Sequence, residues 1–148
     1  MDLIAGKIQG EWYDSLPGKG IVYDLAYAAL SGLDTEGRLR AVTDLGKSDD
    51  PRAVRQLMDL VADRDPAIRS GAIAALGQLK SGRPVDVLIE RLRNRNEQGD
   101  IRQQAAGALA AIRSTGAIRG LREFAADPDE DPALRSHVTY HLDHLLVW

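Results

Sequence analysis

The chain has 148 residues, a net charge of −3 and 44% hydrophobic residues, few of them aromatic, so Ala, Leu and Ile must fill most of the core. It contains no cysteine, which excludes disulfides, thiolate metal sites and a cysteine nucleophile. No apolar run approaches the ~18 residues of a membrane span and none precedes a cleavage site, so we expect a cytoplasmic protein without a membrane segment.

The first 33 residues fit the pattern of the later chain poorly. A step back of 31 residues from Leu57 and Leu60 lands on Ala26 and Ala29, which predicts a degenerate first unit. Its second helix is expected at residues 21–33, and an irregular first helix at residues 3–13. The Ser-Leu-Pro-Gly segment at residues 15–18 is expected to form the turn between them.

From there on, a block of eight residues that begins with arginine returns four times. The arginines are 31, 33 and 33 residues apart, and a small or apolar residue follows three positions after each one. The arginines are Arg38, Arg69, Arg102 and Arg135, and the residues after them are Ala41, Ala72, Ala105 and Val138. A repeat of this length is typical of a solenoid of stacked supersecondary units.

Each repeat contains two segments with the apolar spacing of an amphipathic helix. In one repeat they run from Pro66 to Leu79 and from Arg83 to Arg93. Asp65-Pro66 and Asp131-Pro132 each place an N-cap acceptor before a proline at the first helical position. Gly77 and Gly116 are expected at or beyond the ends of first helices as left-handed C-caps. The sequence therefore predicts helix pairs joined by short turns.

The motif from Asp65 to Arg69, the run from Ala72 to Gly77 and the run from Val85 to Leu92 together resemble the HEAT-like repeats first associated with phycobilisome lyases. The resemblance extends over residues 34–148. It implies a right-handed stack of antiparallel helix pairs whose second helices line the concave face. Lyase activity is not implied by the repeat itself.

The expected fold is thus an all-α, right-handed α-solenoid of about four helix pairs forming one domain. Residues 1–33 would be a degenerate N-terminal unit, and residues 133–148 a single C-terminal cap helix. The three full repeats between them are expected at residues 34–66, 67–99 and 100–132.

The repeated arginines are expected to hold neighbouring repeats together and not to bind a ligand. Each follows a loop that bears an acid, and guanidinium groups pair well with carboxylates. We therefore predict an ion-pair ladder that holds the repeats in register. The expected acidic partners are Asp34, Asp65, Asp100 and Asp131.

All three histidines, His137, His141 and His144, fall on one stripe of the last helix, a pattern that would suit a zinc or nickel site. Three ligands from one straight helix rarely close a tetrahedral shell, and the His-Glu pairing of HEAT-type di-iron hydroxylases is absent. A polar flank of a capping helix and a pH-sensitive contact surface are the alternatives. No cofactor is predicted.

The second helices would turn a row of mixed charges to the concave side, where we expect a protein partner to bind. This row consists of Arg52, Arg55, Asp59, Arg83, Asp86, Glu90, Arg119 and Glu123. No nucleophile with a base, carboxylate pair or phosphate loop stands out, so the chain is expected to be a non-enzymatic scaffold or adaptor. The alternative is an accessory subunit of a tetrapyrrole-attaching enzyme of the phycobilisome-lyase type.

Two departures from the pattern suggest other contacts. Residues 80–122 are locally basic, so a nucleic-acid-binding HEAT-like protein is a further, less favoured alternative, because the concave row mixes both signs and includes few aromatics. The last helix ends in Leu145-Leu146-Val147-Trp148 and has no second helix to cover it. A homodimer contact through this helix is therefore one expected interaction.

Overall fold

A computed structural model describes residues 19–31 and 34–145 of the chain. Within these ranges it contains eight α-helices and no strand. The helices are α1 Lys19–Ser31, α2 Thr35–Lys47, α3 Arg52–Leu60, α4 Pro66–Leu79, α5 Val85–Arg93, α6 Gly99–Ile112, α7 Thr115–Ala126 and α8 Pro132–Leu145. The predicted all-α solenoid is confirmed. The helix predicted at residues 3–13 and the residues after 145 lie outside the described ranges.

Helix starts follow the predicted capping chemistry. Asp65 accepts a hydrogen bond from the backbone N–H of Ala67 at 2.9 Å, and Asp131 accepts one from Leu134 at 2.9 Å. In both cases proline is the first helical residue, where its missing N–H costs nothing. Helices α4 and α8 therefore begin where the Asp-Pro pairs predicted.

Helix ends differ from the prediction. Gly77 lies within α4 and Gly116 within α7, so neither is a C-cap. The left-handed C-caps are instead Lys80 and Arg113, with φ of 57° and 59°. Gly77 serves close packing, because a Cβ on it would lie 3.1 Å from the Cα of Ala108.

The first helices of successive repeats, α2, α4, α6 and α8, pack directly against one another along the stack. Small residues allow this approach: Gly46 of α2 faces Ala75 of α4, and Gly77 of α4 faces Ala108 of α6. The second helices α1, α3, α5 and α7 pack mainly against first helices and contact one another much less. Their apolar faces fill the layer between, with Leu57, Leu88, Leu121 and Phe124 fully buried.

The predicted arginine ladder exists, but its acidic partners are different. The ion pairs are Arg38–Asp63 at 2.6 Å, Arg69–Glu97 at 2.8 Å and Arg102–Glu130 at 3.2 Å. The expected partners Asp34, Asp65 and Asp131 accept hydrogen bonds from backbone N–H groups at helix starts. The predicted pairing with these aspartates is therefore wrong.

The same arginines also bond backward to the preceding unit. The Nε atoms donate to main-chain carbonyls in the last turns of second helices: Arg38 to Ala29 at 2.8 Å, Arg102 to Leu92 at 2.7 Å, and Arg135 to Ala125 at 3.1 Å. These carbonyls have no partner within their own helix. Arg38 on α2 thus connects the end of α1 to the loop before α4. Arg102 on α6 connects the end of α5 to the loop before α8 in the same way.

Candidate functional site on the first helices

The second-helix row predicted to bind a partner is mostly solvent-exposed. Arg52 is half-buried and pairs with Asp50 at 2.7 Å, while the other seven side chains are exposed. These seven are Arg55, Asp59, Arg83, Asp86, Glu90, Arg119 and Glu123. Seven members of the row lie on second helices, but Arg83 precedes α5, which begins at Val85 and not at the predicted Arg83. The role of the row in binding stays a prediction.

The two kinds of helix pack differently along the stack. First helices touch one another through glycine and alanine, whereas second helices make few mutual contacts. That the second-helix side is the concave, partner-binding face stays a prediction.

An open groove of about 480 Å³ lies on the first-helix side, between α4 and α6. Its surface is largely apolar and built from small residues, with two amides and one ammonium group among them. We call this the first-helix groove; its lining residues are Ala74, Gly77, Gln78, Lys80, Gln104, Gly107, Ala108 and Ala111. The glycines that allow helix packing thus also leave this surface open.

The histidines lie on α8, which packs against α6. The Nε2 atoms of His137 and His141 are 3.3 Å apart, with the rings in an edge-to-face arrangement. The Nδ1 atom of His144 instead contacts the backbone oxygen of Tyr140 at 2.7 Å, and its ring lies beside the Tyr140 ring. The structure therefore brings two of the three histidines together.

The predicted three-histidine metal site is accordingly not formed. Across residues 19–31 and 34–145, no group of three or more His, Cys, Asp or Glu side chains is arranged to hold a metal ion. The physical reason is local: His144 shares the stripe, but its ring turns toward Tyr140 in its own helix.

His141 lies at the contact between α8 and α6. Its Nε2 is 3.8 Å from the position that a Cβ on Gly107 would occupy, and its side chain is half-buried. Burial lowers the pKa of His141 below its ordinary value, and the charges of His137 and His144 lower it further. Since Gly107 also lines the first-helix groove, the histidine pair and the groove adjoin at this residue.

The homodimer contact predicted for the last helix stays a prediction. Tyr140 is 60% exposed, and an open depression of about 500 Å³ runs along the same helix beside Arg135 and Asp143. The prediction rested on residues 145–148, of which Leu145 ends α8 and residues 146–148 lie outside the described residues.

A family model for HEAT repeats matches residues 24–99, about half of the chain. The chain belongs to this family of helix-pair repeat proteins. The finer assignment to the phycobilisome-lyase type of repeat has no support in the comparisons.

Two relatives carry the same enzyme name. The chain is 27% identical over 93 residues to deoxyhypusine hydroxylase of Rattus norvegicus, a match that covers 63% of this chain and 31% of that protein. It superposes on the structure of human deoxyhypusine hydroxylase in complex with glycerol with a TM-score of 0.74 and 26% identity, covering 84% of this chain and 43% of the human protein. The chain thus spans less than half the length of these relatives.

An engineered protein of known crystal structure shares the fold, with a TM-score of 0.54 and 21% identity. The match covers 84% of this chain and 62% of the engineered protein. This likeness supports the architecture alone.

The similarity to deoxyhypusine hydroxylase overturns the functional prediction. A non-enzymatic scaffold was expected, but the relatives found by sequence and by structure are enzymes. The alternative of a tetrapyrrole-attaching accessory subunit is not favoured either. The non-enzymatic prediction rested on the absence of a nucleophile with a base, a carboxylate pair and a phosphate loop.

None of the helices in the described ranges has the length and hydrophobicity that a membrane span requires. Cytoplasmic localisation stays a prediction.

Proposed function

We propose that this chain is the substrate-binding part of an enzyme related to deoxyhypusine hydroxylase, and that substrate binds in the first-helix groove. The observation that carries the proposal is the structural likeness to the human enzyme over 84% of the chain at 26% identity. The sequence match to the rat enzyme, 27% identical over 93 residues, supports the same relationship.

The apolar part of the groove suits the aliphatic stem of an extended side chain, and the polar groups of its lining are two amides and the Lys80 ammonium, with no carboxylate. Its floor is formed by Gly77, Gly107 and Ala108, which present backbone and methyl groups to an aliphatic stem. Gln78 and Gln104 supply amide groups that can fix a polar end. Ser70 already donates to Oε1 of Gln104 at 2.6 Å, which orients that amide.

The di-iron ligands expected of a HEAT-type hydroxylase do not fit the described residues. Such enzymes pair His with Glu, whereas Val, Leu and Leu follow the three histidines of this chain. No group of three ligating side chains exists among residues 19–31 and 34–145. The proposal therefore assigns substrate binding to this chain and derives no oxidation step from its residues.

The test is to fill the groove and measure substrate binding. Ala74 is exposed and lines the groove, whereas Ala67 is exposed on the first turn of the same helix and does not line it. We expect Ala74→Phe to weaken binding of a deoxyhypusine-containing peptide at least about tenfold, or about 1.4 kcal/mol. Ala67→Phe is expected to leave the dissociation constant within about twofold.

Isothermal titration calorimetry gives both constants, and circular dichroism confirms that both variants are folded. Equal binding by the wild type and Ala74→Phe would place the substrate elsewhere. No binding by the folded wild type would contradict the proposed function itself.

A further inference from the structure

The histidine pair on α8 brings two imidazole nitrogens within hydrogen-bond distance of each other. His137 and His141 are four residues apart, so they lie on the same face of the helix. Their ring centroids are 4.8 Å apart in an edge-to-face arrangement, and the two Nε2 atoms are 3.3 Å apart. Two nitrogen lone pairs can share either one proton or one metal ion in this arrangement.

The separation matches a tetrahedral metal. With Zn–N bonds of about 2.0 to 2.1 Å, two nitrogens at the tetrahedral angle stand about 3.3 to 3.4 Å apart. A square-planar ion with bonds of the same length would need about 2.8 to 3.0 Å between adjacent ligands. The observed 3.3 Å between the Nε2 atoms is thus compatible with two ligands of a tetrahedral ion.

Comparison of the repeats shows that the position of His141 does not need a large side chain for packing. In the inner repeats the equivalent positions hold Ala75 and Ala108, which pack against Gly46 and Gly77. In α8 an imidazole takes this place and lies against Gly107. The side chain of His141 is half-buried, so less rotamer freedom is lost on ligand binding than at a fully exposed position.

We propose that His137 and His141 chelate one Zn²⁺ ion through their Nε2 atoms, with two coordination positions left to water or another small ligand. Neutral imidazole is a good zinc ligand near neutral pH. With two protein ligands the site is of moderate affinity and open to exchange. This inference does not depend on the proposed hydroxylase-related function.

The experiment is a titration of the purified chain with Zn²⁺ alone, followed by calorimetry. We expect one ion per chain in the wild type and at least tenfold weaker binding in both His137→Ala and His141→Ala. His144→Ala is the matched control from the same helix, and its dissociation constant is expected to stay within twofold of the wild type. His141→Ala should fold, because alanine occupies the equivalent positions 75 and 108.

Two further readouts separate a defined site from general surface binding. Co²⁺ in place of Zn²⁺ should give the intense visible bands of tetrahedral coordination in the wild type and not in His141→Ala. Zn²⁺ should raise the melting temperature of the wild type and leave that of His141→Ala unchanged. Weak octahedral Co²⁺ bands would overturn the proposal and leave only a histidine–histidine hydrogen bond. Zn²⁺ binding lost equally in His144→Ala would overturn it by showing a different set of ligands.

Discussion

Arg102 and Glu130 form an ion pair with 3.2 Å between Nη2 and Oε1, although they are 28 residues apart in the chain. Their side chains are only 9% and 2% exposed. Arg93 and Arg95 also approach the carboxylate of Glu130, at 3.8 and 3.4 Å. The same arrangement recurs one repeat earlier, where Glu97 receives both Arg69 and Arg91. These buried carboxylates anchor the loops that precede first helices.

The first prediction concerns this anchor. Arg102→Ala is expected to lower the free energy of unfolding by about 2 to 3 kcal/mol, because it removes a buried partner of Glu130 and the hydrogen bond to the Leu92 carbonyl, while Arg93 and Arg95 stay near Glu130. Arg40→Ala is the control, since Arg40 pairs with Glu36 on the exposed surface of α2 and should cost less than about 1 kcal/mol. Urea unfolding followed by circular dichroism measures both. Similar losses in the two variants would show that the ladder does not hold the stack.

The second prediction is an acid-dependent loss of stability through Glu97. Burial would raise the pKa of Glu97, but hydrogen bonds from Arg69 and the Gln98 backbone N–H, and the charges of Arg69 and Arg91, outweigh burial and hold the pKa below its ordinary value of 4.5. A carboxyl with a depressed folded-state pKa stabilises the fold above its unfolded pKa, and the contribution is lost as the pH falls through the folded pKa.

We therefore expect the stability advantage of the wild type over Glu97→Gln to be full near neutral pH and to shrink as the pH drops below 4.5. Glu36→Gln, at an exposed position, should show little difference from the wild type at any pH. Urea unfolding at a series of pH values provides the comparison. A difference between wild type and Glu97→Gln that stays constant with pH would be inconsistent with this account.

The third prediction tests the close approach of first helices. A Cβ on Gly46 would lie 2.7 Å from the Cβ and 2.9 Å from the Cα of Ala75, so the backbones must separate. Gly46→Ala is expected to destabilise the fold by about 1 to 3 kcal/mol. At Gly99 a Cβ would meet nothing within 4 Å, so Gly99→Ala should be neutral or slightly stabilising. Thermal unfolding of both variants distinguishes crowding from the intrinsic preference for alanine.

The fourth prediction concerns the left-handed C-cap at Lys80, where φ is 57°. Lys80→Gly is expected to raise the free energy of unfolding by up to about 1 kcal/mol, because glycine adopts this conformation without steric cost. The matched change Lys47→Gly lies in the last turn of α2, a right-handed conformation, and should destabilise by up to about 1 kcal/mol. Effects of the same sign in both variants would contradict the conformational explanation.

Local features of the fold could be read from the sequence. The predicted helix from Pro66 to Leu79 coincides with α4, because apolar spacing and an Asp-Pro cap are properties of adjacent residues. The acidic partners of the arginines could not be read in this way. Glu97, the partner of Arg69, lies 28 residues further along the chain. The nearer Asp65 instead accepts a hydrogen bond from a backbone N–H at the start of α4.

The candidate site was only partly visible for similar reasons. Helical spacing identified the histidine stripe, but whether His144 joins the pair depends on its contact with the Tyr140 carbonyl. The first-helix groove arises from small residues on two helices, Gly77 and Gly107 among them, which in the sequence look like packing or capping positions. The similarity to deoxyhypusine hydroxylase consists of the overall fold and of identical residues spread along the chain. The sequence contains no His-Glu motif that would have indicated it.

The most direct test of the central proposal is the affinity of the chain for a deoxyhypusine-containing peptide compared with the same peptide carrying unmodified lysine, measured by isothermal titration calorimetry. If the chain is the substrate-binding part of a hydroxylase-related enzyme, the deoxyhypusine peptide should bind at least about tenfold more tightly. Equal affinity for the two peptides, or no binding of either by the folded chain, would contradict the account.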